Sequence, residues 1–310
     1  MDGILIIDKP GGWTSHDVVA RARRVLGEKR VGHTGTLDPF ATGVLVLLVG
    51  RATRLAQFLA GAEKEYAATI RLGFATDTGD LTGERREGAG TADCSALRLE
   101  EVEAALAPLR GDIRQVPPMY SAKKVGGRKL YELARKGEEV ERKAVPVRVS
   151  EFEIVVDGDG GFSRRNGGGT CDVRARVVCS AGTYVRALAE SAGENLKTGA
   201  HLAALRRTRA GEFGLERAVS LEELPKLVAG GREFLVSPEA ALPRMPSAHL
   251  TAEEARRVRH GAAVAAGAAR GWEDGAHVAL LDEGGALLAV GVYDAAASAL
   301  RPRVMLAGEK

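Results

Sequence analysis

One carboxylate and one imidazole stand in a loop that is rich in glycine and small hydroxyl residues. Asp38 and His33 both lie in the run VGHTGTLDPFATG, residues 31–43, which precedes a continuous apolar segment. Such a composition before a buried strand is typical of a loop held tightly against a rigid element, and such loops often carry functional sites. An aspartate there could act as a nucleophile or as a base, because an unperturbed aspartate is ionised at neutral pH. The alternative for Asp38-Pro39 is a structural turn in which the carboxylate binds nearby amides.

Other catalytic chemistries find little support in the sequence. The six histidines are scattered, without an HxxxH or HExxH spacing, and the GxSxG pattern of serine hydrolases is absent. Gly27, Gly32 and His33-Thr34 match a phosphate-binding loop only superficially, because the lysine of that motif is replaced by His33 and Gly27 ends a helical pattern. We therefore expect neither a metal ion nor a cofactor.

Two tyrosines are candidates for contact with a flat ligand. Tyr66 lies in an alternating strand pattern, where a tyrosine belongs either to the core or to a binding site. Tyr184 follows CSAGT at a strand-to-helix turn, and Arg186 lies two residues further on. Both interpretations, packing and ligand binding, stay open on the residues alone.

The elements that must position these residues alternate between strands and helices. Apolar patterns predict strands over residues 3–8, 43–50, 65–72 and 173–179, and helices over 15–26 (capped by Ser15 and stopped by Gly27), over 99–109 and from 183 onward. Because several strands are separated by turns alone, we expect an α+β fold with a mixed, largely antiparallel sheet and flanking helices. The glycine-rich segment 158–169 is predicted to be a flexible loop.

A change of composition near residues 242–246 predicts a domain boundary. We expect one domain over 1–245 and a second over 246–310, where a helix, a hairpin and a closing strand indicate a small β-barrel. The 310 residues contain no apolar run long enough for a membrane span, and the acidic N-terminus is unlike a secretory signal. Three cysteines without a CxxC pair argue against a disulfide scaffold. We expect a cytoplasmic protein that does not bind membranes.

Basic charge is concentrated in two stretches although the net charge is only +3. Residues 21–30 hold five basic side chains, and residues 119–148 hold nine against four glutamates. This clustering indicates either a surface for an anionic partner or an ordinary solvated helix face.

The motifs resemble those of one enzyme family. GHTGTLDPFATGVL is similar to the catalytic motif of the TruB family of bacterial tRNA pseudouridine-55 synthases. In matching order, ILIIDKPGGWTSHDVV, KEYAATIRLGFATDTGD, CSAGTYVRALAESAG and GAHLAALRRTRAGEF resemble its other motifs, and PPMYSAKKVGGRKLYELARKG resembles its RNA-clasping insertion, about 117–148. The resemblance implies the pseudouridine synthase fold and a C-terminal PUA-like RNA-binding barrel.

The resemblance also assigns roles to particular residues. It implies that Asp38 is the nucleophile, that Arg186 pairs with it, and that Tyr66 stacks on the target uracil. We expect the paired arginine to oppose the rise in the aspartate pKa that burial causes. The other implied substrate-site residues are His33, Tyr184 and Leu205, and the implied RNA-binding arm comprises Lys123, Lys124, Arg128 and Lys129.

The implied activity is the conversion of a specific uridine, position 55 in the T-loop of tRNA, into pseudouridine. The expected partner is tRNA through its T-loop and T-stem, with no obligatory protein partner and no guide RNA, and we expect a monomer. One alternative is a tRNA-binding folding chaperone whose isomerase site is secondary. Another is the guide-RNA-dependent relative of archaea and eukaryotes, which carries additional terminal segments that we do not expect here.

Overall fold

The predicted α+β class is confirmed by a computed structural model. The structure describes residues 1–86, 94–121, 123–134, 136–138, 140–158, 161–231, 233–267 and 271–307. Within these ranges the chain forms a large mixed sheet of eleven strands, a five-stranded sheet near the C-terminus and a separate two-stranded hairpin. No helix in these ranges is both long and apolar enough to cross a membrane.

The strands are β1 (Gly3–Lys9), β2 (Val31–His33), β3 (Thr42–Val49), β4 (Lys64–Leu72), β5 (Gly111–Gln115), β6 (Lys124–Val125), β7 (Arg128–Lys129), β8 (Val145–Ile154), β9 (Ser163–Arg165), β10 (Cys171–Cys179), β11 (Ala200–Ala210), β12 (Phe213–Gly214), β13 (Val219–Ser220), β14 (Ser247–His249), β15 (Val264–Ala265), β16 (His277–Leu281), β17 (Leu287–Asp294) and β18 (Ala299–Met305). The helices are α1 (Ser15–Leu26), α2 (Ala56–Leu59), α3 (Leu99–Leu106), α4 (Leu130–Ala134), α5 (Val185–Asn195), α6 (Leu224–Ala229) and α7 (Ala252–Arg259).

The large sheet places β3 and β11 in its interior. Its main strand order is β13-β1-β3-β11-β4-β10-β8-β5, with β2 paired to β3, β9 to β10 and β12 to β11. Strand β3 is a continuous apolar run because both of its faces are covered: Leu45 and Leu47 join one hydrophobic cluster, and Val44 and Val46 join another. This burial fixes the strand from which the site loop emerges.

Three predicted helix boundaries need correction, and the first is the start of α5, which lies at Val185 and not at residue 183. The N-cap of α1 is Thr14, not Ser15, because Thr14 Oγ1 accepts the amide of Asp17 while the Asp17 carboxylate accepts the Thr14 amide. Gly27 ends this helix in the left-handed conformation, as predicted. The predicted helix 99–109 is α-helical only to Leu106 and continues as a 3₁₀ turn, whose first positions include proline.

The segment 158–169 was predicted to be a loop. This prediction is only partly correct, because the segment contains β9. This short strand pairs antiparallel with β10, which gives its backbone groups regular hydrogen-bond partners. Residues 159–160 lie outside the described ranges. The segment therefore extends the sheet locally.

The C-terminal sheet has the order β14-β16-β17-β18-β15 and curls around its own apolar core. Val278 and Leu280 of β16 face this core together with Val258 of α7. The alternate residue Ala279 faces a second cluster that includes Leu55, which precedes α2. The sheet thus buries one face against its own helix and the other against the N-terminal part of the chain.

Candidate active site

The loop that carries Asp38 is anchored from two sides. It joins β2 to β3, and the Ala41 amide donates to the Asp38 carbonyl at 3.1 Å. Ser15 Oγ accepts the Leu37 amide at 2.9 Å, and the Gly12 amide donates to the Pro39 carbonyl at 2.8 Å. The turn interpretation is therefore correct for the backbone, and it leaves the Asp38 carboxylate available for another partner.

That partner is Arg186, which lies in the first turn of α5. Its Nε donates to Asp38 Oδ2 at 2.9 Å and its Nη2 to Oδ1 at 3.1 Å. Further donation to the carbonyls of Thr78 (2.8 Å) and Tyr120 (2.7 Å) fixes the guanidinium, whose side chain is only 4% exposed. A bidentate pair of this kind fixes both the position and the orientation of the carboxylate.

The electrostatics of Asp38 are a balance between burial and pairing. Burial raises the pKa of Asp38, and the Arg186 guanidinium opposes that rise through its charge and its hydrogen bonds. Asp80 raises the pKa slightly further, and its carboxylate is itself 3.9 Å from Arg186 Nη1. The net direction is upward, which makes Asp38 a stronger base than an exposed aspartate.

Asp38 opens into a cavity of about 320 Å³ that brings together five of the six residues predicted for catalysis and substrate binding. The other four are Tyr66, Tyr184, Arg186 and Leu205. They come from different elements, because Tyr66 lies on β4, Leu205 on the adjacent β11, and Tyr184 is the N-cap of α5. A flat ligand bound in this cavity would lie between walls that include an aromatic ring and the ionised carboxylate of Asp38.

Tyr184 is fixed by a reciprocal pair of hydrogen bonds. Its amide donates to Gln115 Oε1 at 2.8 Å, and Gln115 Nε2 donates to the Tyr184 carbonyl at 3.1 Å. Gln115 is buried at the end of β5, so this contact ties the start of α5 to the edge of the sheet. The sequence does not indicate this role of Gln115, because there the residue is only one polar position in a strand.

His33 is the predicted site residue that does not line this cavity. Its ring meets His16 edge to face, with centroids 5.7 Å apart, at the end of β2. Burial lowers the pKa of His33, and the His16 and Arg207 charges lower it further. In the described part of the chain its Nδ1 has no hydrogen-bond partner.

A second and larger cavity, of about 600 Å³, lies on another side of Asp38. Asp80, His16, Tyr120 and Tyr131 line it together with Arg186. Asp38 therefore stands between two recesses, one walled by the sheet and the other by the start of α1 and the arm.

The predicted arm is a short hairpin and helix beside the cavity. Lys123 lines the cavity and is half-buried, whereas Lys124 on β6 is exposed. Arg128 on β7 pairs with Glu138 at 3.2 Å, so its charge is partly compensated. Lys129 belongs to β7, but its side chain lies outside the described part of the structure.

Three buried cationic residues at the site were not singled out from the sequence. Lys9 is fully buried and its Nζ donates to the carbonyls of Trp13 (2.7 Å), Pro10 (2.9 Å) and Pro39 (3.2 Å), which tethers the Asp38 loop to β1. Lys64 and Arg207 line the cavity itself. Among the described residues, no cluster of three or more histidine, cysteine, aspartate or glutamate side chains could hold a metal ion.

Comparison with known proteins gives concordant matches over most of the chain. The model of the TruB family pseudouridylate synthase N-terminal domain matches residues 23–185, and that of the tRNA pseudouridylate synthase B C-terminal domain matches residues 186–239. A tRNA pseudouridine synthase B of Thermobifida fusca is 52% identical over 84% of this chain and 85% of its own. Another, of Mycolicibacterium paratuberculosis, is 47% identical over 92% and 94%. Among solved structures, an H/ACA RNP bound to a substrate RNA containing 2′-deoxyuridine superposes with a TM-score of 0.71 at 26% identity, over 98% of this chain and 85% of that chain.

Proposed function

Because the chain belongs to the TruB family of pseudouridylate synthases, we propose that it converts uridine 55 in the T-loop of tRNA into pseudouridine, with Asp38 as the reacting carboxylate. The pseudouridine synthase fold is confirmed by the structural likeness, and the curled C-terminal sheet agrees with a PUA-like unit. The relatives at 47–52% identity act on tRNA by name, which supports tRNA as the substrate.

The observation that carries the proposal is the Asp38–Arg186 pair at the wall of a cavity. Pseudouridine formation breaks the C1′–N1 bond, turns the uracil and joins C1′ to C5, without net oxidation and without a group donor. One positioned carboxylate suffices for this, either as the nucleophile at C1′ or as a base that abstracts a proton. Arg186 supports both routes because it fixes the carboxylate and favours its ionised form.

The size and walls of the cavity fit a single base that has left its stack. Its volume of about 320 Å³ is near the lower end of the range for small-ligand sites. Extrusion of a base costs a few kcal/mol, and stacking on an aromatic ring returns about 1–3 kcal/mol. Tyr66 is the ring that we assign to this contact, with Tyr184 and Leu205 as further walls.

The arm supports binding of the rest of the RNA. Lys123 and Lys124 lie beside the cavity, where they would contact phosphates on either side of the extruded nucleotide. Recognition of a loop by its shape and its splayed bases suits an arm next to a pocket. His33, outside the cavity, is assigned to the RNA around the target rather than to the target base.

We further propose that the protein acts as a monomer in the cytoplasm, without a guide RNA or a protein partner. The likeness to an H/ACA RNP makes the guided reaction the relevant alternative. Purified protein and unmodified tRNA alone separate the two cases. Product in that mixture supports the stand-alone enzyme, and product that appears only after a guide RNA is added contradicts it.

The decisive experiment maps pseudouridine at single-nucleotide resolution in tRNA incubated with the purified protein. We expect one modified position, in the T-loop at 55. Asp38→Asn should abolish the product while RNA binding is retained, because the amide is neither a nucleophile nor a base. A different position, or native turnover by the variant, contradicts the proposal.

The same variant tests the chaperone alternative. A folding assay with misfolded tRNA compares native protein with Asp38→Asn. If the variant folds tRNA as well as the native protein and the native protein forms no pseudouridine, the isomerase function is secondary and our proposal fails.

A further inference from the structure

Two buried cations other than Arg186 line the same cavity as Asp38. Lys64 is 6% exposed and Arg207 is 2% exposed, and both line the cavity. They flank the same residue of the site loop, since a Cβ built on Gly35 would lie 3.7 Å from Arg207 Nη1 and 3.8 Å from Lys64 Cε. The two positive charges therefore share one end of the cavity.

Neither cation has a carboxylate partner in the described part of the chain. Lys64 Nζ donates to the carbonyls of Ala60 and Ala62. Arg207 donates to the carbonyls of Val44 at 2.7 Å, Gly35 at 3.1 Å and Thr36 at 3.5 Å. Buried charges are normally paired, because an uncompensated charge in a low-dielectric interior is costly. Their location at a cavity indicates that the compensating negative charge arrives with a ligand.

The donors are also incompletely used. An ammonium group has three N–H donors and a guanidinium has five. Lys64 directs two of them to backbone carbonyls, and Arg207 makes three such contacts and one hydrogen bond to the Tyr66 side chain, so each retains one donor for a ligand. Because the backbone carbonyls hold both groups in place, the remaining donors are preorganised.

The electrostatic surroundings of Lys64 are consistent with this arrangement. Burial and, to a smaller extent, the Arg207 charge lower the pKa of Lys64 to about 8, and Cys179 is its partner on the neighbouring strand. Burial raises the pKa of that cysteine to about 11 and also raises the pKa of Tyr66, so both of these groups are neutral when Lys64 titrates. Asp38, which lines the same cavity, pairs with Arg186.

We propose that Lys64, together with Arg207, binds the oxygen edge of the target uracil and stabilises the negative charge that the ring carries while it is detached from the ribose. The inference rests on the proposed function and adds a catalytic role to residues of the same cavity. Its ligand is the uracil ring itself.

The charge arises from the chemistry of the exchange. When the C1′–N1 bond breaks heterolytically, its electron pair leaves with N1, and the uracil becomes an anion delocalised over N1, O2 and O4. In the nucleophilic route an Asp38 oxygen forms the new bond to C1′; it is displaced when C5 attacks C1′, and the C5 proton is lost as N1 gains one. A cation that is fixed before the reaction stabilises this developing charge more than it stabilises neutral uridine, and therefore raises the rate.

An RNA phosphate is the other anion that these donors could take. If these donors bind a phosphate, removal of the charge should lower the affinity for tRNA and make that affinity less dependent on salt. The chemical step should then change little. If these donors bind the uracil, removal of the charge should lower the rate of the chemical step and leave the affinity for tRNA almost unchanged. The two ligands therefore predict opposite kinetic signatures.

The experiment compares the full-length native protein with Lys64→Met and Lys64→Arg on unmodified tRNA. For Lys64→Met we expect the single-turnover rate to fall about 100-fold, as when one charge-stabilising donor is removed, while the Kd for tRNA stays within about threefold. Lys64→Arg should retain a larger part of the rate. Lys226→Met, at an exposed lysine, is the matched control and should leave both quantities unchanged.

The pH profile provides a readout that does not depend on the folding of Lys64→Met. The native rate should decline as the pH rises through about 8, because Lys64 loses its proton there, and Lys64→Arg should remove that decline. Lys9 also has its pKa lowered to about 8, so a decline that persists in Lys64→Arg shows that a group other than Lys64, such as Lys9, titrates there, and it overturns the proposal.

The remaining outcomes are equally decisive. A native rate for folded Lys64→Met, or an unchanged rate with weaker and less salt-dependent binding, overturns the proposed role of Lys64. If the native protein itself forms no pseudouridine, the proposed function fails instead. The two failures are therefore distinguishable.

Discussion

Arg186 holds both carboxylate oxygens of Asp38, at 2.9 and 3.1 Å, although the two residues are 148 positions apart in the chain. The guanidinium is in turn held by the carbonyls of Thr78 and Tyr120, which belong to two other segments. Four separate parts of the chain thus meet at one ion pair. The position of Asp38 is a property of the folded sheet and not of its own loop alone.

Replacement of Arg186 by lysine should slow the chemical step about 100-fold. Lysine keeps the charge but not the planar fork, so it can neither bind both oxygens nor retain both carbonyls, and small displacements of a reacting group cost rates of this order. Single-turnover kinetics on tRNA measure the effect. The matched control is Arg71→Lys, which breaks a similar bidentate pair with Asp172 (2.7 and 2.8 Å) away from the cavity. Equal rates for the two variants would contradict the role of Arg186.

Lys9→Met should both destabilise the protein and reduce its activity. The lysine bridges β1 to the carbonyls of Trp13 and Pro39, and an unsatisfied buried polar group costs about 1–3 kcal/mol. Urea unfolding measures the change in the free energy of unfolding, with Lys226→Met at an exposed site as control. If Lys9→Met and the control have the same free energy of unfolding, the hydrogen bonds of Lys9 contribute nothing to stability.

The core strands could be predicted from the sequence because their burial leaves a local signature. Strand β3 has a continuous apolar run since both of its faces are covered, and β4 alternates since successive residues point to opposite faces. The N-cap was misplaced by one residue because Thr14 and Ser15 are both good caps. The reciprocal hydrogen bonds between Thr14 and Asp17 identify Thr14 as the cap, and Ser15 instead makes a buried contact with Leu37.

The charged residues of the site could be predicted only in part. Asp38 was identified from its loop composition, and Arg186 was identified by family resemblance, because nothing local in the sequence connects the two. Lys9, Lys64 and Arg207 were missed because lysine and arginine are normally exposed, and their burial depends on contacts with distant segments. The resemblance implies that His33 contacts the RNA around the target, and in the structure its ring lies beside His16.

Within the arm, Lys124→Gln should weaken tRNA binding more than Arg128→Gln does. Lys124 is exposed, whereas Arg128 already pairs with Glu138, so less of its charge is available to a phosphate. The loss of one phosphate contact changes the slope of log K against log salt by about 0.7–0.9. Binding measured over a range of salt concentrations tests this, with Lys226→Gln as control. A larger effect of Arg128→Gln would show that the ion pair opens when RNA binds.

The rate should rise with pH on the acidic side, with a midpoint above the usual aspartate value of 3.8. Burial raises the pKa of Asp38, and only the ionised carboxylate can act as nucleophile or base, so the active fraction grows as the pH increases through that raised pKa. Single-turnover rates measured between about pH 4 and pH 7 show this acidic limb of the pH–rate profile. Arg186→Lys should move it to higher pH, since the guanidinium opposes the rise. A limb that does not move would assign the titration to another group.

Gly43→Ala should be the most disruptive small change in the site loop. Gly43 has φ +98° and pairs with Arg207 across β3 and β11, and an added Cβ would lie 2.2 Å from the Arg207 carbonyl oxygen. Backbone strain and overpacking together should lower the free energy of unfolding by about 3 kcal/mol, and displacement of Arg207 should also lower the rate. Gly32→Ala is the matched control, because nothing lies within 4 Å of its added Cβ. If urea unfolding gives the two variants the same stability, the close approach of β11 does not require glycine at position 43.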